Sequence, residues 1–172
     1  TSEPQLQLRL PTERYYEEEG RAELTPRDFG ILMHRVFENA ATTDEIYTAI
    51  EAMTQDGVLD EKEAPRLREL VEKALADPVT AEWFGGRWQV VRNENEIILP
   101  GSGTTRRPDR VMTDGERAVV VDYKFGDRET ARHRKQIREY LRLLRQMGYT
   151  RTEGYLWYVR LGRTERVEEK ED

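Results

Sequence analysis

Arg106-Arg-Pro-Asp-Arg-Val-Met112, a turn at Asp114-Gly115, and Ala118-Val-Val-Val-Asp-Tyr-Lys-Phe-Gly126 make up the stretch whose reading decides the fold. The apolar run Ala118 to Val121, set between a Gly turn and a Gly terminus, is too short for a helix. Its β-branched content marks a buried central strand. Strand side chains alternate, so Asp122 and Lys124 project on one side while Val121 and Tyr123 point to the other. The Asp114-Gly115 turn folds the preceding strand back, which brings Asp109 beside Asp122. Two carboxylates and an amine at the end of an apolar strand are costly without a partner. A divalent cation is the simplest partner for the carboxylates, leaving Lys124 to face a substrate. The arrangement points to metal-dependent phosphodiester chemistry.

Upstream, Thr25-Pro26-Arg27-Asp28 is a helix start, with Thr25 as cap and Pro26 in the first position. Phe29, Leu32, Met33, Val36 and Phe37 form the apolar stripe of that helix, and His34 lies beside it, one turn after Gly30. Glycine inside a helix costs about 1 kcal/mol relative to Ala, so another element is expected to approach closely at Gly30. Further helices follow over Thr43–Met53, Glu61–Ala76 and Asp77–Phe84, with the periodicity of packing and no visible chemistry. Asp56-Gly57 is a turn whose neighbouring acids do not fall at EF-hand spacing. At Gly85-Gly86 the period changes, and Trp88–Arg92 and Asn95–Leu99 read as strands. Glu96 leads directly into Ile97-Ile98-Leu99, with Glu94 as the alternative acid; strand register decides which faces the site.

Downstream of Gly126, a helix starts over Asp127–Thr130 and runs to Met147-Gly148, with Ile137, Tyr140, Leu141 and Leu144 as its core face. Gln136 and Tyr140, four apart, are neighbours on one side. Arg132, Arg138 and other cations crowd the exposed faces, where they can neutralise phosphates. A final strand covers Glu153–Leu161, and the crossover helix predicts that it lies parallel to the Asp122 strand. Helices first, then a strand meander, a helix and a strand give an α/β domain: a mixed central β-sheet flanked by helices, with an N-terminal helical segment.

The 172 residues suit one domain with its own core. The expected division is a linker or strap over 1–24, a single domain over 25–167 with a helical part at 25–84 and a sheet core at 86–162, and an acidic tail at 168–172. No apolar stretch reaches the ~20 residues of a membrane span, and no signal-peptide pattern is present. A chain that begins at Thr1 suggests a piece of something longer. The absence of cysteine excludes disulfides, thiolate zinc sites and cysteine-ligated iron–sulfur clusters. Net charge is −6, yet Arg106–Arg145 holds twelve basic and seven acidic side chains. That segregation fits a DNA-facing side and a solvated back. No Gly-x-x-x-x-Gly-Lys-[Ser/Thr] loop occurs, so no ATPase motor is predicted within these residues.

Pro108-Asp109 followed by Asp122-Tyr123-Lys124 resembles the signature of the PD-(D/E)xK nuclease superfamily. The ordered set Gly30-x-x-x-His34, Glu96, Asp109, Asp122-Tyr123-Lys124 and Gln136-x-x-x-Tyr140 resembles the RecB/AddA-type nuclease domain of bacterial helicase–nucleases. Relatives often carry a glycine where this chain has Arg106, and some carry an iron–sulfur cluster that a cysteine-free chain cannot hold. The resemblance implies a restriction-endonuclease-like core and Mg²⁺- or Mn²⁺-dependent exonucleolytic processing of DNA, as a single strand or a duplex end. It implies covalently attached helicase domains, a second helicase–nuclease subunit as a further partner, no membrane, and a cytoplasmic, nucleoid-associated location. His34, Asp109, Asp122 and the Tyr123 backbone carbonyl are then the expected metal ligands, and Glu96, Asp109, Asp122 and Lys124 the expected catalytic set. Tyr123, Arg132, Gln136, Arg138 and Tyr140 are the expected DNA contacts. The rivals are a catalytically silent DNA-binding or scaffolding module of the same fold, which predicts loss of a carboxylate or the lysine, and a stand-alone endonuclease of the superfamily.

Overall fold

The computed structural model describes residues 26–94, 97, 107–126 and 131–170. The expected cap Thr25, Glu96, most of the expected 95–99 strand and the 127–130 helix start lie outside them. Among the described residues four helices come first: α1 (Pro26–Phe37), α2 (Thr43–Gln55), α3 (Glu63–Ala74) and α4 (Pro78–Trp83). Local chemistry sets their starts. Thr42 caps α2 by accepting from Glu45 N–H, while the Glu45 carboxylate accepts from Ala41 N–H. Before α3, Asp60 accepts from the Lys62 and Glu63 amides and Glu63 accepts from Asp60 N–H, a reciprocal box. Asp77 caps α4, with Pro78 in its first position. Among the described residues no helix is long and apolar enough to cross a membrane.

Next come strands β1 (Val90–Asn93), β2 (Arg110–Asp114) and β3 (Arg117–Lys124), helix α5 (Ala131–Gln146), and strands β4 (Arg151–Tyr158) and β5 (Arg163–Val167). They form a five-stranded sheet in the order β1-β2-β3-β4-β5. β3 and β4 are parallel and every other pair is antiparallel, so the sheet is mixed, as the crossover helix requires. The turn between β2 and β3 is Gly115-Glu116, one residue later than the expected Asp114-Gly115 because Asp114 still pairs with Arg117, and Gly115 stands at φ 60°.

Both faces of β3 are covered, which is why its apolar run is continuous rather than alternating. Val119, Val121 and Tyr123 face α1–α4, together with Met112 and Trp157. Ala118 and Val120 face α5, packing with Ile137, Tyr140, Leu141, Leu156 and Tyr158. Gly154 in β4 lets α5 close in: Ile137 and Leu141 occupy the space where a Cβ would stand. The last strand differs from expectation. It starts at Arg151 and ends at Tyr158, and the polar run Arg163–Val167 forms an additional edge strand. Charged residues on an edge strand face water and hide the apolar alternation by which strands are read.

Candidate metal and catalytic site

Register decides what meets at the end of the sheet. Asn93 pairs with Arg110, Arg110 with Val121, and Val121 with Tyr155. One residue beyond that rung stand Glu94, Asp109 and Asp122, carried by three adjacent strands to the same end. Asp109 N–H donates to Asp122 Oδ1 at 3.1 Å, and Tyr123 N–H donates to Asp109 Oδ2 at 2.7 Å. The juxtaposition of Asp109 and Asp122 expected from the turn is thus present, with each carboxylate held by the other strand's main chain. Lys124, two residues on from Asp122 and on the same face, is buried at this end.

His34 reaches the same place from α1. Its Nε2 lies 3.2 Å from Asp109 Oδ1. Gly30 allows the approach: a Cβ there would stand 3.2 Å from Phe125 Cβ, at the exit of β3. The close neighbour expected of this glycine is therefore Phe125, whose ring also lies 5.7 Å from that of His34. The Asp109 hydrogen bond is the largest influence on His34 and raises its pKa above 6.5. Burial opposes this, and the charges of Asp109, Glu94 and Glu38 add to it.

His34, Glu94 and Asp109 each offer one donor atom, and the three atoms lie within 4.8 Å of one another. Two carboxylates and an imidazole fit a divalent cation, and the oxygen majority suits magnesium or manganese. Asp122 stands beside this trio, bonded to the Asp109 main chain, rather than within it. Glu94, the alternative to Glu96, is the acid that the described strands bring to the site.

A model of the PD-(D/E)XK nuclease superfamily matches residues 5–172. The chain belongs to that superfamily. No curated protein matches it. Nucleases of the PD-(D/E)XK superfamily are generally metal-dependent hydrolases that act on DNA.

Two expected DNA contacts of this PD-(D/E)XK chain are corrected by the packing. The Tyr123 ring is buried among Phe37, Phe125 and Trp157. The Tyr140 ring is buried with Ile137, Leu141 and Leu144. Neither offers a face for stacking on a base. Gln136 and Arg138 are half-buried and Arg132 is exposed. The cations of α5 are not all turned outward to a phosphate: Arg134 holds Glu165 at 2.7 Å and Arg145 holds Glu169 at 2.7 Å.

The sequence reading missed Arg110. Its side chain is wholly buried and donates from Nη1 to Ala40 O at 2.6 Å, and from Nη2 to Ala41 O at 2.8 Å and Trp83 O at 2.7 Å. Its guanidinium lies 4.0 Å over the Phe84 ring. Burial lowers its pKa, yet guanidinium stays protonated in proteins. Arg110 therefore ties the carbonyls after α1 and at the end of α4 to the residue next to Asp109. Its only sequence signal is an arginine opening an otherwise apolar strand. A cavity of about 520 Å³ lies at the opposite end of the sheet, by Trp88, Asp114 and Arg117. There Arg117 already holds Glu82 and Glu153, so this space is separate from the acids.

Proposed function

We propose that the chain is the exonuclease domain of a bacterial helicase–nuclease of the RecB/AddA type, spanning residues 25–167. In this reading it hydrolyses DNA ends delivered by attached helicase domains, in end processing and recombinational repair. The observation that carries the proposal is the meeting of His34, Glu94, Asp109, Asp122 and Lys124 at one sheet end, in the order of the resembled domain. His34, Glu94 and Asp109 hold Mg²⁺ or Mn²⁺, with Asp122 and the Tyr123 carbonyl alongside. The cation, when bound, supplies Lewis acidity and an acidified water. Glu94 takes the role weighed for Glu96.

Lys124 contributes a fixed positive charge where the phosphate gains negative charge. The residue is buried, and a charge acts more strongly where water is largely excluded. The main-chain hydrogen bonds to Asp109 and Asp122 hold both carboxylates before substrate arrives, which spares reorganisation during reaction. Arg132 and Gln136, near the start of α5, contact the phosphate backbone.

The test is end-labelled linear DNA and covalently closed circular DNA, each with Mg²⁺ or Mn²⁺. The parent degrades the linear form and spares the circle. Lys124→Ala and Asp122→Ala lose on the order of a hundredfold or more in rate while keeping a folded circular-dichroism spectrum. Equal rates in all three proteins overturn the catalytic assignment. Cutting of the circle overturns the exonuclease reading and favours a stand-alone endonuclease.

A further inference from the structure

The β4–β5 turn stands at the same end of the sheet as the acids. β4 runs parallel to β3, Tyr158 pairs with Lys124, and Val159 N–H donates to Lys124 O at 3.0 Å. Leu161, two residues further, is thus within about 8 Å of chain from that contact. The turn is tightly bonded: Leu161 N–H donates to Tyr158 O and Gly162 N–H to Val159 O, both at 3.2 Å. Gly162 sits at φ 60°, the left-handed conformation that closes the turn and that glycine adopts freely. At its tip Leu161 is 51 % exposed, with exposed Arg160 and Arg163 on either side. The Arg163 guanidinium lies 4.8 Å over the Tyr158 ring, which fixes its place at the base of the turn.

Turn tips are ordinarily polar, and an aliphatic side chain held out by a bonded turn between two cations is matched to a nucleic acid. The cations suit phosphates and the aliphatic group suits a base step. Leucine has no π-face for stacking, but it serves elsewhere as a wedge that unstacks base pairs. The site beside it is recessed: Asp109 is 10 % exposed by side chain, Asp122 1 % and Lys124 8 %. A single strand reaches such a site more readily than a duplex, whose backbones are held apart by its base pairs.

We propose that the Arg160–Arg163 turn is a duplex-end wedge, in which Leu161 enters the terminal base step and the two arginines take flanking phosphates. One strand is thereby freed towards Lys124. This rests on the nuclease reading, and the experiment separates the two.

A blunt duplex oligonucleotide with 2-aminopurine in its terminal pair is titrated with protein in EDTA, where no cleavage occurs, and binding is followed in parallel by anisotropy. The parent raises the fluorescence several-fold at saturation, because unstacking relieves quenching. Leu161→Ser reduces that rise to less than a third, whereas Met147→Ala, at a residue 54 % exposed beyond the far end of α5, leaves it intact. No binding, no rise with bound parent, an undiminished rise in Leu161→Ser, or an equal loss in Met147→Ala overturns the wedge. Cleavage of a single-stranded oligonucleotide in Mn²⁺ tests the nuclease reading separately. A parent that cuts it without opening the duplex keeps the nuclease and loses the wedge. One that opens the duplex and cuts nothing does the reverse.

Discussion

Replacing Arg110 by Met, similar in length but apolar, withdraws donors from Ala40 O, Ala41 O and Trp83 O at 2.6 to 2.8 Å. Ala40 O keeps a second donor in Asn93 Nδ2 at 3.3 Å. Ala41 O and Trp83 O lose their guanidinium donor, and a buried carbonyl stripped of its donor costs about 1–3 kcal/mol. The contact over Phe84 is lost as well, at about 1–2 kcal/mol when desolvated. Against this, Met avoids the several kcal/mol that burying the cation costs. The losses come to about 3–8 kcal/mol and the relieved cation burial offsets several of these, so the net loss is about 1–3 kcal/mol. Urea unfolding measures it as a fall in midpoint at unchanged slope. Arg110→Lys keeps the charge but not the fork, and should fall between Met and the parent. A stability of Arg110→Met within about 1 kcal/mol of the parent would refute the claim that this side chain fastens helices to sheet.

Asp109→Asn removes the carboxylate that does most to hold the His34 pKa up. With only His34 and His133 in the chain, the imidazole resonances are readily assigned, and the titration of His34 should move to lower pH. An unmoved His34 would contradict the pairing. The same pair stabilises the metal-free fold below pH 6.5, an effect lost as pH rises through the raised pKa. Because the imidazole is 40 % exposed, the contribution is at most about 1 kcal/mol. Burial raises the Glu63 carboxyl to about 7, so its ionisation costs stability: the cost is absent below pH 4.5 and complete above pH 7. Glu63→Gln should flatten the unfolding free energy across that window by up to about 3 kcal/mol, and an unchanged pH slope would place the carboxyl in water. Gly154→Ala forces α5 off β4 at Ile137 and Leu141, with an expected loss of about 1–3 kcal/mol in urea unfolding; a neutral result would mean that the helix shifts freely.

The centre of the fold was legible because one turn sets it. Counting from the expected Asp114-Gly115 turn sets Asp109 opposite Val120; the turn lies one residue later, at Gly115-Glu116, and that shift sets Asp109 opposite Asp122. Gly30 was legible for a similar reason, since a helical glycine beside an apolar stripe needs a neighbour, and Phe125 is there. Tyr123 and Tyr140 were read twice over, once by pattern and once by resemblance, and the pattern was right. The alternation that puts Asp122 with Lys124 also puts Tyr123 with Val121 in the core, and the helical spacing puts Tyr140 with Ile137 and Leu144. Arg110 and β5 were not legible. A buried cation satisfied by carbonyls, like an edge strand of charged residues, is defined by elements remote in sequence. That Glu94 stands level with Asp109 depends on the pairing of β1 with β2, and no local signal supplies that register.

A crystal soaked in manganese and measured for anomalous scattering locates the cation itself. The expected result is a peak bounded by His34, Glu94 and Asp109, lost in Asp109→Ala. A peak elsewhere on the chain, or equal occupancy in Asp109→Ala, would contradict the assignment of this sheet end as the metal site.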